Sequence, residues 1–202
     1  MHKKHKFLAL SLSVLLLMLL AACEQPYSPK PRGFFRIDLP AKDYQVSDSS
    51  LPYIFDYPTY TVISNDPKAP NEKYWINVNF PAHKATLHLS YKDVSDNLFN
   101  YLEDSYTLVS KHIPKADAIT DSIIFDPERK VFGLTYRIDG SETASPYQFF
   151  VTDSTTHFLR GALYFNTTPN NDSLAPVIDF LIGDIQHLIN TLHWNAEPKP
   201  TP

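Results

Sequence analysis

The chain has 202 residues, with 18 Lys+Arg against 22 Asp+Glu and a formal net charge of −4; that is one ordinary domain and a little more. Hydrophobic residues at 43% and charged residues at 20% exclude wholesale disorder, and the acidic balance excludes the basic surface that a nucleic-acid binder needs. One cysteine excludes a disulfide framework and a Cys-based zinc site, and five glycines in no phosphate-binding string exclude a phosphate-cradling loop.

Residues 1–6 carry three lysines and no acid, and the sixteen residues from Phe7 to Ala22 carry no charge. This is the basic and apolar layout of a signal peptide, predicted over 1–22 and slightly short for a spanning helix, which needs about 20 residues. Leu20-Ala21-Ala22-Cys23 resembles the bacterial lipoprotein box. The resemblance implies cleavage before Cys23, diacylglyceryl transfer to its thiol and acylation of the new amino terminus, with palmitate-type chains. Two or more such chains anchor stably where one does so only marginally. The alternative is an ordinary cleaved leader followed by an incidental cysteine. Without Lys3, Lys4 and Lys6 the 18 basic residues fall to 15 against 22 acids, a net charge near −7. That suits a body held off an anionic membrane surface.

Residues 23–50 read as a lipid-anchored, proline-rich arm and loop. Of 17 prolines, 8 lie in 24–70 and only 6 in 71–197. Pro26, Pro29, Pro31 and Pro40 impose an extended, polyproline-like course. The arm also carries Tyr27, Phe34, Phe35 and Arg36, which a plain spacer would lack. It is expected to dock, either on its own body or on a partner. Residues 41–50 read as a loop.

Residues 51–195 read as one α+β domain: an antiparallel sheet with two helices packed on one face, preceded by the extended arm. Alternation predicts strands at 53–57, 59–63, 74–80, 85–91, 119–125, 131–138, 147–152 and 157–165. Leu98, Leu102, Tyr106 and Val109 recur at helical spacing and predict a helix over 95–112 with Ser95 as cap. A broader apolar stripe from Leu174 to Leu192 predicts a second helix over 174–194, capped by Ser173 or Asp172, with Pro176 in its first turn. A last helix closing over a sheet is similar to PsbP-type periplasmic lipoproteins, a likeness of fold alone. Residues 196–202 read as a flexible tail.

Chemistry is not advertised. Six histidines survive cleavage, yet His83 and His88 fall on opposite strand faces and His187 and His193 on different helix faces, so no zinc pair is expected. Asp153, Ser154 and His157 bring triad residue types together, but the Thr152–Thr156 run reads better as a hairpin turn bonded to its own backbone. No catalytic residue, metal site or cofactor is predicted. Trp75, Asn77, Asn79, His88, Arg137 and Gln148 are expected on one polar sheet face. Trp75, Asn77 and Arg137 there are candidate partner-binding residues, because aromatic residues and Arg are enriched at interfaces. The alternative is an ordinary wet face.

Taken in order, the lipobox, PYSPKPRGFFRIDLP, YIFDYPTY, YWINVNFPAHKATLHLSYKD and FVTDSTTHFLRGALYFNTTPNNDSLAPVIDFLIGDIQHLINTL resemble the GldD family of gliding-motility lipoproteins of Bacteroidota. The similarity spans about residues 23–194. It implies a membrane-anchored envelope protein tied to gliding and type IX secretion, with envelope partners that include a GldE-like membrane protein. The family has no established catalytic residues, so it implies none here. The segment after Cys23, Glu24-Gln25-Pro26-Tyr27-Ser28, lacks the acidic cluster that resembles a surface-export signal, so the body is expected to face the periplasm. The alternative function is a small-ligand- or metal-binding periplasmic lipoprotein accessory to a membrane transporter.

Overall fold

The computed structural model describes residues 37–195. Among these residues eleven strands and two α-helices follow one another, with every strand pair antiparallel. Short strands come first: β1 (Tyr44–Val46), β2 (Tyr53–Ile54), β3 (Asp56–Pro58) and β4 (Val62–Asn65). They are followed by β5 (Ile76–Phe80), β6 (Ala85–Asp93) and helix α1 (Leu98–Ser110). The meander β7 (Ala118–Asp126), β8 (Val131–Asp139), β9 (Tyr147–Thr152) and β10 (His157–Phe165) leads into helix α2 (Asn171–Thr191) and β11 (His193–Trp194). One seven-stranded sheet has the order β4-β5-β6-β10-β9-β8-β7, and β1-β3 and β11-β2 form two small ribbons.

The α+β class and antiparallel sheet expected from alternation are observed. The placement of the helices is corrected. Helix α2 packs its inward stripe, including Val177, Leu181, Ile185 and Leu188, onto Val78, Leu87, Leu89, Phe149, Val151 and Leu163. Helix α1 instead meets a second cluster of Tyr136, Ile138, Phe150 and Phe158, with Leu98, Leu102 and Val109 contributed by the helix. Phe149 and Phe150 are neighbours on one strand, so their side chains point to opposite faces. The two helices therefore lie on opposite faces of the sheet. Both faces are apolar, each over a different half, and no single strand's alternation shows which half its apolar set will join.

Boundaries differ locally. The segment read as a loop over 41–50 contains β1, so the folded body begins ahead of residue 51. The strand expected over 53–57 is split at Phe55, whose backbone turns to Ser47 (Phe55 N to Ser47 Oγ, 3.0 Å); β2 pairs with β11 and β3 with β1. Ser95 does not cap α1: Asn97 precedes the helix, and its Oδ1 accepts the Ser95 N–H at 2.9 Å. Helix α2 starts three residues early, because tertiary bonds hold its first residue. Asn171 Nδ2 donates to Gly140 O at 2.9 Å and to Thr143 Oγ1 at 2.7 Å. Asp172 and Ser173 thus fall inside the first turn, and Pro176 lies inside the helix, where it lacks the N–H that would bond the fourth preceding carbonyl.

Candidate functional site

Helix α2 carries one acid among its inward apolar residues. Asp184, with 1% of its surface exposed, lies beside Leu181 and Ile185. Its Oδ1 accepts from Lys42 Nζ at 2.7 Å and from Tyr44 OH at 2.9 Å, and its Oδ2 accepts from Tyr60 OH. Lys42 also donates to the Phe180 carbonyl at 2.9 Å and stands 4.1 Å from the centre of that ring. Burial first, then the bond to Asp184 and its charge, pushes the Tyr44 phenol up to about 12, and the same causes raise Tyr60. Both phenols are therefore donors at neutral pH, and the carboxylate is neutralised by Lys42. The arrangement is a tie between the segment entering the body and its last helix, not a source of a nucleophile or base.

The polar half of the sheet is a largely buried hydrogen-bonded network. His88 Nδ1 donates to Asn77 Oδ1 at 2.7 Å, Asn79 Nδ2 donates to Val62 O at 3.1 Å, and Thr86 Oγ1 donates to Asn79 Oδ1 at 3.2 Å. Gln148 bridges the next pair: its Oε1 accepts from Arg160, so its Nε2 donates to His112 Nε2 at 3.0 Å, leaving the His112 proton on Nδ1. Burial, then Arg160, holds His112 below the usual imidazole range; burial is also the largest cause of depression at His88.

Of the expected partner-binding residues, Trp75 and Asn77 do not share a sheet face with Arg137. Trp75 Nε1 donates to Tyr91 O at 2.8 Å, with Lys92 Nζ 4.9 Å from the ring centre, and Asn77 is covered, at 6% exposure. Arg137 lies on the opposite face, which corrects the expectation of one polar face. It pairs across the ladder with Tyr147, a residue of the α2-side core. Its guanidinium meets Asp139 at 3.0 Å and Asp179 of α2 at 2.8 Å. Arg137 borders a groove of about 500 Å³ between the β7–β8 hairpin and α2, also lined by Thr120, Thr135, Tyr147, Gln186 and Asn190. Cys23, Tyr27, Phe34, Phe35 and Arg36 lie outside the described residues.

The triad residue types are spent on a turn, as their spacing suggests. Asp153 Oδ1 accepts the backbone N–H groups of Thr155, Thr156 and His157 at 2.8–3.0 Å, and Ser154 takes a positive φ of 70°. Burial would raise Asp153, but those N–H groups outweigh it and hold the acid below its ordinary value. Among the described residues no three His, Cys, Asp or Glu side chains gather as a metal site, and no helix is long and apolar enough to cross a membrane. The Asp184 tie escaped the sequence reading. Its only signal is an acid inside the apolar run Phe180-Leu181-Ile182-Gly183-Asp184-Ile185, and nothing local names Lys42, Tyr44 and Tyr60 as its partners.

A family model described as gliding motility lipoprotein GldD matches residues 24–194. The chain belongs to the GldD gliding-motility lipoprotein family. The GldD match begins at the residue after Cys23 and takes in the proline-rich sequence that follows it together with nearly all of the described residues. No curated protein sequence matches the chain. The solution structure of cyanobacterial PsbP (CyanoP) from Synechocystis sp. PCC 6803 is similar, with a TM-score of 0.47 at 11% identity over 79% of this chain and 97% of that one. That likeness is too distant to add to the GldD assignment.

Proposed function

We propose that the protein is a non-enzymatic, lipid-anchored envelope component that supports the gliding and type IX secretion machinery through protein–protein contacts. The observation that carries this reading is the GldD family match over 24–194, with Cys23 just before its first residue. Cys23 holds the lipid, the body faces the periplasm, and the arm residues Tyr27, Phe34, Phe35 and Arg36 with Trp75 contribute partner contacts. A GldE-like membrane protein and other motility proteins are the partners. Prolines reduce the ordering entropy lost when the arm binds, and aromatics with arginine are frequent anchors of interfaces.

The test works on the membrane-anchored protein in its own cells. Cys23→Ala should leave unprocessed precursor and abolish labelling by a fatty-acid analogue, and protease added to intact cells should spare the wild-type body. Replacing Phe34, Phe35 and Arg36 together with Ser, every proline kept, should leave lipidation and folding normal yet lose motility and the motility proteins on affinity capture. Full motility with unchanged capture would reject the arm as a docking element. A second reading, a small-ligand- or metal-binding lipoprotein beside a transporter, draws on the groove of mixed polar and apolar lining along β7–β8. Capture of a transporter without motility proteins would favour it.

A further inference from the structure

The two edges of the large sheet are unlike. At one, β4 is four residues long, and the Asn79 side chain takes up its Val62 carbonyl and the Ser64 hydroxyl. At the other, β7 runs nine residues in unbroken register with β8 and, among the described residues, is paired along that side only. Natural sheets guard such an edge by short length, bulges, Pro or Lys. Residues 116–126 contain no Pro, Lys or Arg, and no residue of β7 has a positive φ. Two large apolar side chains stand out from β7, Ile123 at 78% and Phe125 at 74% exposure.

Both faces beside this edge are recessed. Toward α2, Thr120, Ser122 and Ile124 line the groove of about 500 Å³. Toward α1, Ile119 and Asp121 border a second groove of about 400 Å³ with Tyr106, Ile113 and Tyr136. A strand laid on β7 would continue the pleat, so its side chains would alternate between these two recesses. The unpaired edge supplies main-chain bonds, and the recesses supply selectivity, as in other β-augmentation sites.

Charge selects the kind of strand. Three acids, Asp117, Asp121 and Asp126, lie in or beside β7. Asp126 is engaged by Arg129, whereas Asp117 and Asp121 have no cation partner among the described residues. A second copy of β7 centred on Asp121 would set acid against acid across the new ladder, which is unfavourable, and in no register would residues 116–126 bring a cation to Asp117 or Asp121. We infer that β7 is a docking edge for an extended segment of a partner protein in which apolar residues alternate with lysine or arginine. The inference rests on the reading that this lipoprotein works through protein contacts, and it names the surface and the chemistry of the partner.

The experiment uses the full-length lipidated protein in nanodiscs, with hydrogen exchange read by mass spectrometry. The probe is a capped ten-residue peptide of alternating valine and lysine, compared with one of alternating valine and glutamate. The valine–lysine peptide should slow exchange over residues 119–125 by roughly tenfold or more, since strand pairing protects amides. Residues 62–65 should be unchanged, and the valine–glutamate peptide should have no effect. Ser122→Pro should abolish the protection, and Ile123→Lys, which touches only an exposed side chain, should weaken it while leaving the melting temperature unchanged. No protection of β7, equal protection by both peptides, or equal protection at 62–65 would overturn the proposal. Motility loss on gene deletion is scored separately: with an unprotected β7 it would leave the functional reading standing and sink the docking edge, and the converse result would do the reverse.

Discussion

Asp184 shows how much one side chain can organise. A buried carboxylate is tolerated only when its charge and lone pairs are met, and here Lys42 meets the charge while Tyr44 and Tyr60 donate to the two oxygens. Asp184→Asn removes the charge, strands a partly buried ammonium and leaves the phenols a weaker acceptor. The expected loss is about 3 kcal/mol, the low end for breaking a buried pair, because Lys42 keeps some solvent. Urea melts of wild type and variant measure it, and a loss under about 0.5 kcal/mol would mean the tie is not structural. A second residue-scale constraint is steric. A Cβ at Gly161 would lie 2.1 Å from the Phe149 ring, so only glycine lets that ring cross β10.

At the scale of the element, α2 is the part that closes the body. Its stripe fills the face formed by β5, β6, β9 and β10, and its end is stopped by a side chain from the β7–β8 hairpin. Arg129 Nη1 donates to Ile189 O at 3.1 Å and Leu192 O at 2.7 Å, placing a cation on the last carbonyls, where the helix dipole favours it. Leu181 and Ile185 are fully buried at the centre of the stripe. Truncating either to Ala should cost ~2–5 kcal/mol, the sum of lost transfer energy and an unfilled cavity. The check is the denaturant midpoint at constant slope, and a change under about 0.5 kcal/mol would make the helix peripheral. Helix α1 covers only the half of the opposite face built by Tyr136, Ile138, Phe150 and Phe158. Its outer side leaves Phe99 and Tyr106 in solvent.

Across the whole molecule, four histidines from separate elements share one electrostatic condition. His83, His88, His112 and His157 all have pKa values depressed below 6.5, with burial the largest cause in each. Between the depressed folded values and 6.5 the unfolded chain binds more protons than the native one, so stability rises with pH there. Their contribution is full above pH 6.5 and is lost as pH falls through the folded values. The melting temperature should therefore drop on going from pH 7.5 to pH 5.5. An equal or higher melting temperature at pH 5.5 would show that these rings gain protons in the native state as readily as in the unfolded chain.

Local physics was sufficient for much of this. A basic and then apolar stretch ahead of Cys23, the strand alternation in 76–80, 85–91 and 147–165, and the stripe of α2 are written in residue order, because charge runs and strand and helix periods are properties of consecutive residues. Family membership was legible for the same reason, through long uncommon strings rather than a short motif. Tertiary structure alone decided what depends on register and on distant partners. Phe132, Leu134, Tyr136 and Ile138 alternate cleanly with Arg137, yet only the pairing of Leu134 with Phe150 sends that apolar set toward α1 and Arg137 toward α2. A one-residue slip would have exchanged the two faces. In the same way, Lys42 and Asp184 are 142 positions apart, and the unguarded length of β7 became an edge only because the meander β7–β10 returned to pair with β6 and left its first strand outermost.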